Sequence, residues 1–312
     1  MSKAGYIGVS NLARKIKKMY VGVDGVARQV KKAYVGDAYN KARLWYTARY
    51  FEYTGNYTEQ EVTIGGKAYV LYTLTSSGTL KCSEAQYWMC GAGCSGEANR
   101  RMGTGTYNYE AGRGGCGGHV ASGTMLPGTW QVLIGAGGDT SKNGAEANSG
   151  GNTSITFGGT TTTAEGGNII SGGSGGGSAA NYRYAIGQRN GGSGDGVSTI
   201  PFGLTSLGKA CPGGGGGGLY MNNSNRRNGG AGGSNGEDGG DTSTGGSDGG
   251  AGGETGGGRG GNTSPTTVES GSAATFYGGA GGGAAVRTSG SWMAANGGAG
   301  YQGVVYVLQE AA

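Results

Sequence analysis

The sequence is poor in the residues that catalysis and secretion draw on. It has a single histidine, His119, so a nucleophile–histidine–acid triad has one centre to build on, and no G-x-S-x-G elbow accompanies it. No apolar run approaches the ~20 residues of a transmembrane helix, and the opening MSKAGYIGVS has no hydrophobic signal core. The chain is therefore expected to be soluble, without membrane insertion, and not exported by the usual secretory route. The cysteines, Cys82, Cys90, Cys94, Cys116 and Cys211, are odd in number, which excludes a complete disulfide framework within one chain. They suggest synthesis in a reducing cytoplasm, with thiols acting as small buried hydrophobes. Only 4 prolines are present and glycine does not recur at every third position, which excludes collagen.

What is abundant is glycine: 78 of 312 residues, where ordinary proteins carry roughly 7%. Composition of this kind first suggests low-complexity disorder, because glycine buries little apolar surface and loses the most backbone entropy on ordering. The glycines are, however, unevenly placed. Residues 1 to 90 have an ordinary β pattern, with KAYVLYTLTSSGTLKC and AQYWMC alternating or running apolar in strand fashion. Further strand-like pieces, TWQVLIGAGG, NTSITFGG and the C-terminal GVVYVLQ, punctuate the glycine segments. A disordered tail has no need of a terminal strand.

The first fifty residues contain a fourteen-residue repeat, YIGVSNLARKIKKM, YVGVDGVARQVKKA and YVGDAYNKARLWY, with Tyr6, Tyr20 and Tyr34 and then Gly8, Gly22 and Gly36 in register. Each unit reads as a hairpin. In the second, Asp24-Gly25 is a strong turn signal flanked by Val21, Val23, Val26 and Val30. In the third an extra residue displaces KAR and the repeat dissolves into LWYTARY. A two-stranded hairpin is at best marginal alone, so these units are expected to stack on each other, on a partner or on copies of themselves. The segment is also basic, with Lys15, Lys17, Lys18, Arg28, Lys31, Lys32, Lys41 and Arg43 opposed mainly by Asp24 and Asp37. That charge suits docking on an acidic partner surface or, equally, a solvated face that protects strand edges. The tyrosines form no nucleic-acid-binding module pattern.

Several motifs imitate chemistry. Gly91, Gly93 and Gly96 satisfy G-x-G-x-x-G after a strand, but EANRRMGTGTYNYE lacks the helical period that a dinucleotide site requires. Cys90, Cys94, Cys116 and His119 have weak spacing for zinc, and buried small residues explain the cysteines as well. Glu237, Asp238, Asp241 and Asp248 lie in glycine loops that do not by themselves hold a general acid rigidly. The GRGG at Arg113 and at Arg259 resembles RNA-binding tracts, yet acidic residues interleave the second. The chain is accordingly expected to be no enzyme, with no cofactor, metal or nucleic-acid partner.

Ordered glycine has one natural form, a bundle of polyproline-II-like helices with three residues per turn, rising ~3.1 Å each, whose N–H and C=O groups bond only to neighbouring helices. Close packing leaves no room for Cβ on a face that meets a neighbour. An edge helix then reads GGX, as in GGAGGS, GGSDGGAGGE and GGGRGGN, whereas a helix enclosed on every side tolerates no side chain, as in residues 213–218, GGGGGG. Strands must anchor both ends of each segment, since ordering costs ~1–2 kcal/mol per residue against ~0.5–1.5 returned per hydrogen bond.

Connections projecting from such a bundle, RRMGTGTYNYEAGR, AANYRYAIGQRN, GLYMNNSNRRN and VRTSGSWMAAN, combine Tyr, Trp and Arg with Asn, Ser and Gly. That mixture matches antibody paratopes. The candidate anchors are Tyr107, Tyr109, Tyr182, Tyr184, Tyr220, Met221 and Trp292. The alternative is that these side chains fold back and plug the ends of the bundle.

AQYWMCGAGCSG, GRGGCGGHV, LPGTWQVLIGAGG and TSITFGG, followed by GGX runs and a final GVVYVLQ, resemble the glycine-rich domain of bacteriophage tail proteins. YVGVDGVARQVKKAYVG resembles hairpins of tail structural proteins from phages and prophages of Gram-positive bacteria. The pattern is also similar to the glycine-rich region of an animal receptor-kinase ectodomain family, read here as shared architecture. The phage resemblance implies a mainly β fold: basic hairpin repeats in 1–50, connecting strands in 51–80, and in 81–312 a jelly-roll-like β-sandwich with a polyglycine-II bundle and receptor-binding loops. It further implies a tail-tip or tail-fibre adhesin, made in the host cytoplasm and carried on the virion tail. Its partners would be other tail proteins through the N-terminus, in a homotrimer, and a host-surface glycan, teichoic acid or surface protein. A purely structural tail or surface component, or a disordered glycine-rich linker, is the alternative.

Overall fold

The computed structural model describes residues 6–9, 12–15, 20–23, 26–30, 32–36, 42–47, 49–101, 109–142, 144–169, 200–208, 211–222, 225–227, 229, 232, 249, 252, 256–287 and 293–311. Each N-terminal repeat is an antiparallel hairpin. β1 (Tyr6–Val9) pairs with β2 (Leu12–Lys15), β3 (Tyr20–Val23) with β4 (Val26–Gln29), and β5 (Lys32–Gly36) with β6 (Ala42–Thr47). The innermost pairs Val9↔Leu12 and Val23↔Val26 leave two residues for each turn, the spacing of tight hairpins. Where the repeat pattern dissolves, pairing persists. β5 and β6 absorb the extra length in a register shift at Ala33/Tyr34 and a longer connection beyond Gly36↔Ala42. In the second hairpin Tyr20, Val21 and Val26 are all exposed.

The remaining strands are β7 (Phe51–Tyr53), β8 (Tyr57–Ile64), β9 (Lys67–Leu74), β10 (Gly78–Cys82), β11 (Ala85–Cys90), the short β12 (Arg100–Arg101) and β13 (Tyr109–Glu110), β14 (Val120–Met125), β15 (Gly128–Leu133), β16 (Thr153–Phe157), β17 (Thr160–Ala164), β18 (Leu219–Asn222), β19 (Asn225–Arg227), β20 (Val286–Arg287) and β21 (Val304–Glu310). Two antiparallel five-stranded sheets, ordered β17-β16-β15-β10-β7 and β14-β11-β21-β9-β8, pack face to face. Residues 51–80, expected as connecting strands, supply strands to both sheets, β7 and the start of β10 to the first and β8 and β9 to the second. Alternation along each strand fills the space between them: Val70, Tyr72 and Leu74, then Tyr87 and Met89, then Val305 and Val307 meet Leu80, Trp130, Val132 and Ile155.

The second sheet is covered on its other face as well. Leu71, Trp88, Cys90, Val304, Tyr306 and Leu308 pack there with Cys211, under Phe202, Leu204 and Leu207 of two single-turn 3-10 helices and under Phe276 and Tyr277. That double burial is why β21, VVYVLQE, is a continuous apolar run where a half-exposed strand would alternate. Among the described residues no helix is long and apolar enough to cross a membrane.

Glycine segments run out from one end of this sandwich and back to it. Residues 91–99 continue from β11, and their amide donors rotate through three neighbours with a period of three. Gly91, Cys94 and Glu97 donate to the carbonyls of His119, Cys116 and Arg113 at 2.9, 3.1 and 2.9 Å. Ala92, Ser95 and Ala98 donate to Gly151, Asn148 and Ala145, and Gly93, Gly96 and Asn99 to Tyr301, Gly298 and Ala295. The carbonyls face three further segments: Ala92 accepts from Gly167, Gly93 from Gly138, and Cys94 and Glu97 from Gly281 and Ala284. This is the polyglycine-II lattice, one turn per three residues and six surrounding chains. Residues 278–286 are enclosed in the same way: Ala280, Gly283 and Val286 donate to Pro212, Gly215 and Gly218, while Gly112, Gly115 and Gly118 donate to Ala284, Gly281 and Gly278. The segments are ordered, which removes the flexible-linker reading for them.

Residues 213–218 are buried throughout, as their lack of side chains predicts. The stricter expectation, that an enclosed helix tolerates no side chain, is corrected by 91–99, where Ala92, Cys94, Ser95, Glu97, Ala98 and Asn99 are all buried. The steric block falls on particular positions. A Cβ on Gly93 or Gly96 would lie 2.0 Å from the carbonyl oxygen of Gly279 or Gly282. Elsewhere a glycine on the neighbour makes the room: a Cβ on Gly115 would lie 2.5 Å from Cys94 Sγ. Edge helices follow the expected GGX rule, since Arg259 is exposed between buried Gly258 and Gly260.

Candidate functional site

Segments 91–99, 111–119, 134–142, 145–152, 165–168 and 295–303 join sandwich strands at one end, so the connections of the bundle collect at the other. There the chain turns back between 99 and 111, 142 and 145, 218 and 229, 262 and 269, and 286 and 295. Two small sheets form at this distal end. β12 and β13 pair Arg100↔Glu110 and Arg101↔Tyr109. β18 lies between β19 and β20, with Tyr220 in register with Arg226 on one side and Arg287 on the other.

Beneath them the bundle ends in charge-assisted bonds. The Glu97 carboxylate is buried, and Arg113 grips it bidentately, Nε to Oε2 at 2.9 Å and Nη2 to Oε1 at 2.7 Å, while the Arg113 amide donates to Oε2 at 3.1 Å. Arg100 Nε donates to Glu110 Oε2 at 2.7 Å. Hydrogen bonding to their carboxylate partners raises the pKa of both guanidiniums, so both stay charged. Asn99, also buried, donates through Nδ2 to the carbonyls of Ala285 (2.7 Å) and Met293 (3.0 Å) and accepts from the Ala295 amide at 2.9 Å. One side chain thus ties its own segment to two others, 278–286 and 293–303. Arg287 Nη1 donates to the Pro265 carbonyl at 2.5 Å, joining β20 to the 263–268 turn.

The candidate anchors divide. Tyr109 and Met221 sit on the distal strands β13 and β18. Tyr220 is on β18 too and is buried, the placement that the alternative of side chains folded back into the distal end describes. Its strand lies between β19, paired antiparallel, and β20, paired parallel across a stretch of sequence that local patterning does not bridge. Tyr107, Tyr182, Tyr184 and Trp292 lie outside the described residues, as do Asp24, Gly25, Glu237, Asp238, Asp241 and Asp248. Sequence reasoning missed Glu97, Asn99, Arg100, Glu110 and Arg113. A lone carboxylate inside GAGCSGEAN was the available signal for the first, because a charge in a run that must be buried needs a partner.

Elsewhere the chemistry is sparse. Cys90 faces Cys211 at the base of the bundle while Cys94 lies beside Cys116 within it, so the cysteines form no single centre, and among the described residues no group of three or more His, Cys, Asp or Glu could hold a metal. A shallow groove is lined by Gln86, Trp88, Ser122, Thr124 and Phe202.

The model of a family described as a glycine-rich domain matches residues 70–308. No curated protein matches the chain.

Proposed function

The chain belongs to the glycine-rich domain family, and on that premise we propose that it is a recognition module, the receptor-binding protein of a bacteriophage tail, with the distal end of the bundle as its binding face. The observation that carries this reading is the threefold hydrogen-bonding of residues 91–99, which makes a rigid pedestal of segments that could otherwise only flex. A rigid platform presenting Tyr, Arg and Asn on short connections lowers the entropy cost of binding. The exposed Tyr20, Val21 and Val26 of the second hairpin, beside many lysines, suit attachment to other tail proteins in a homotrimer. Host partners of this face are a surface glycan, a teichoic acid or a surface protein, and the protein acts outside the cell in which it is made.

A purely structural tail component is the second reading, favoured by the burial of Tyr220 and the salt bridges that tie the distal end inward. Cell binding separates the two. Full-length protein should bind susceptible cells, and replacing Tyr107, Tyr109, Tyr182 and Tyr184 together by Ala should reduce binding at least about tenfold, as loss of aromatic anchors does. Unchanged binding by a variant with a wild-type melting temperature would overturn the adhesin reading.

A further inference from the structure

At the base of the bundle two thiols meet. Cys90 ends β11, next to the middle strand of the second sheet, and Cys211 opens the glycine segment 211–218. Both are free and wholly buried, and both thiols turn toward Gly278. Gly278 makes the space for them. A Cβ there would lie 2.7 Å from Cys211 Sγ and 2.9 Å from Cys90 Sγ, so the two sulfurs occupy one pocket that any larger residue would fill.

The backbone of Cys211 is a second, independent sign. Its φ is +60°, in the left-handed region that glycine occupies without strain and other residues occupy at a cost. In a chain with 78 glycines, a cysteine holds a position whose backbone asks for glycine. Strain retained at one residue points to a use for its side chain. The other close cysteines differ: the Cys94 thiol turns to the Ser95 carbonyl at 3.1 Å, and Gly115 faces its sulfur.

We propose that Cys90 and Cys211 are a disulfide-forming site, which staples the glycine bundle to the second sheet when the protein meets an oxidising environment. The reactant is a low-molecular-weight disulfide. One cysteine thiolate attacks a sulfur of that disulfide and expels a small thiolate. The second cysteine thiolate then attacks the protein-bound sulfur of the mixed disulfide and expels the other. Two cysteine thiols are oxidised, one small disulfide is reduced to two thiols, and the two cysteine protons end on the released thiolates. Burial disfavours the thiolate and blocks access in the closed state, so exchange passes through local opening of the bundle base. The bond would close the long loop from 90 to 211, the kind whose cross-linking restricts the unfolded chain most. The proposal stands apart from the receptor-binding reading, since it concerns the opposite end of the bundle.

The test is incubation of reduced full-length protein with oxidised glutathione just below its melting temperature, followed by alkylation, non-reducing digestion and mass spectrometry. The expected result is a Cys90–Cys211 linked peptide and a melting temperature higher by about 5 °C or more. Cys211→Gly relieves the backbone strain and should therefore fold, yet should lose both the linked peptide and the thermal gain, whereas Cys82→Ser should keep both. Recovery of Cys90 and Cys211 alkylated, a Cys94–Cys116 link in their place, or an equal thermal gain in Cys211→Gly would each overturn the proposal.

Discussion

Gly96→Ala tests the bundle at its most enclosed point. The added methyl would lie 2.0 Å from the Gly282 carbonyl oxygen and 2.3 Å from its carbon, where ordinary contact begins near 3.4 Å, so one backbone must retreat by more than an ångström. Neither can do so alone. Gly282 accepts from the Gly298 amide at 2.8 Å and donates to the Ser272 carbonyl at 2.9 Å, and Gly96 itself donates to Gly298 at 2.9 Å. Overpacking costs about 1–3 kcal/mol, and each buried group left unsatisfied about 1–3 more. The expected destabilisation is at least about 3 kcal/mol, a large part of the 5–15 kcal/mol typical of a folded domain. Ala136 supplies the matched control. It is exposed in a segment where Gly135, Gly137 and Gly138 are each closed off by a carbonyl 2.0–2.2 Å from the Cβ position, so Ala136→Ser should stay within about 0.5 kcal/mol of wild type. Denaturant melts and amide exchange across 91–99 measure both. If Gly96→Ala were as stable as Ala136→Ser, with exchange equally slow, the close approach of these chains would be refuted.

Removing the Arg113 side chain strands the buried Glu97 carboxylate with one backbone donor, so Arg113→Ala should cost about 2–3 kcal/mol, less than a fully buried pair because the guanidinium is partly exposed. Arg113→Lys should recover less than half of that in the same melts, since an ammonium cannot make the bidentate contact. Burial pushes the thiols of Cys82 and Cys94 up to about 12 from 9.0. Their folded-state pKa is the higher one, so the stability they contribute is fully present below about pH 9 and is lost as pH rises towards 12. Denaturant melts from pH 7.5 to 10.5 should therefore fall above about pH 9, and Cys82→Ala with Cys94→Ala should flatten the fall; an identical slope would refute the cause. Deleting residues 1–48 should leave the melting temperature nearly unchanged while abolishing the homotrimer proposed above, as read by sedimentation.

The strands were legible because alternation and apolar runs survive in the sequence: KAYVLYTL became β9 and the apolar GVVYVLQ became the doubly covered β21. The hairpins followed from the Tyr and Gly register and from two-residue turns. The glycine bundle was legible as a type of structure but not in its arrangement. Which of many similar glycine segments lies at the centre depends on partners 20 to 200 residues away, and a GGX pattern looks the same beside any of them. Residues 91–99 carry six side chains that the rule of an enclosed helix without any would bar, and they are enclosed because Gly115 and its like on neighbouring segments yield the space. At the distal end, the tyrosines drew notice through composition, whereas the partners of Glu97 and Asn99 were not legible, because each depends on chain reversals that bring distant segments together.

The rotation of the 91–99 amides among 111–119, 145–151 and 295–301 also governs how the protein can come into being. Two of these neighbours are synthesised soon after the segment itself, but the third follows nearly two hundred residues later, directly before β21, the middle strand of the second sheet. Until that stretch has left the ribosome, one amide in three along 91–99 has only water for a partner, and the sheet beside it is split where β21 belongs. No N-terminal fragment of the bundle is a smaller version of the whole. Assembly waits on the synthesis of residues 295–310, and a chain cut short before residue 295 lacks both the last wall of the lattice and the strand that seals the sandwich.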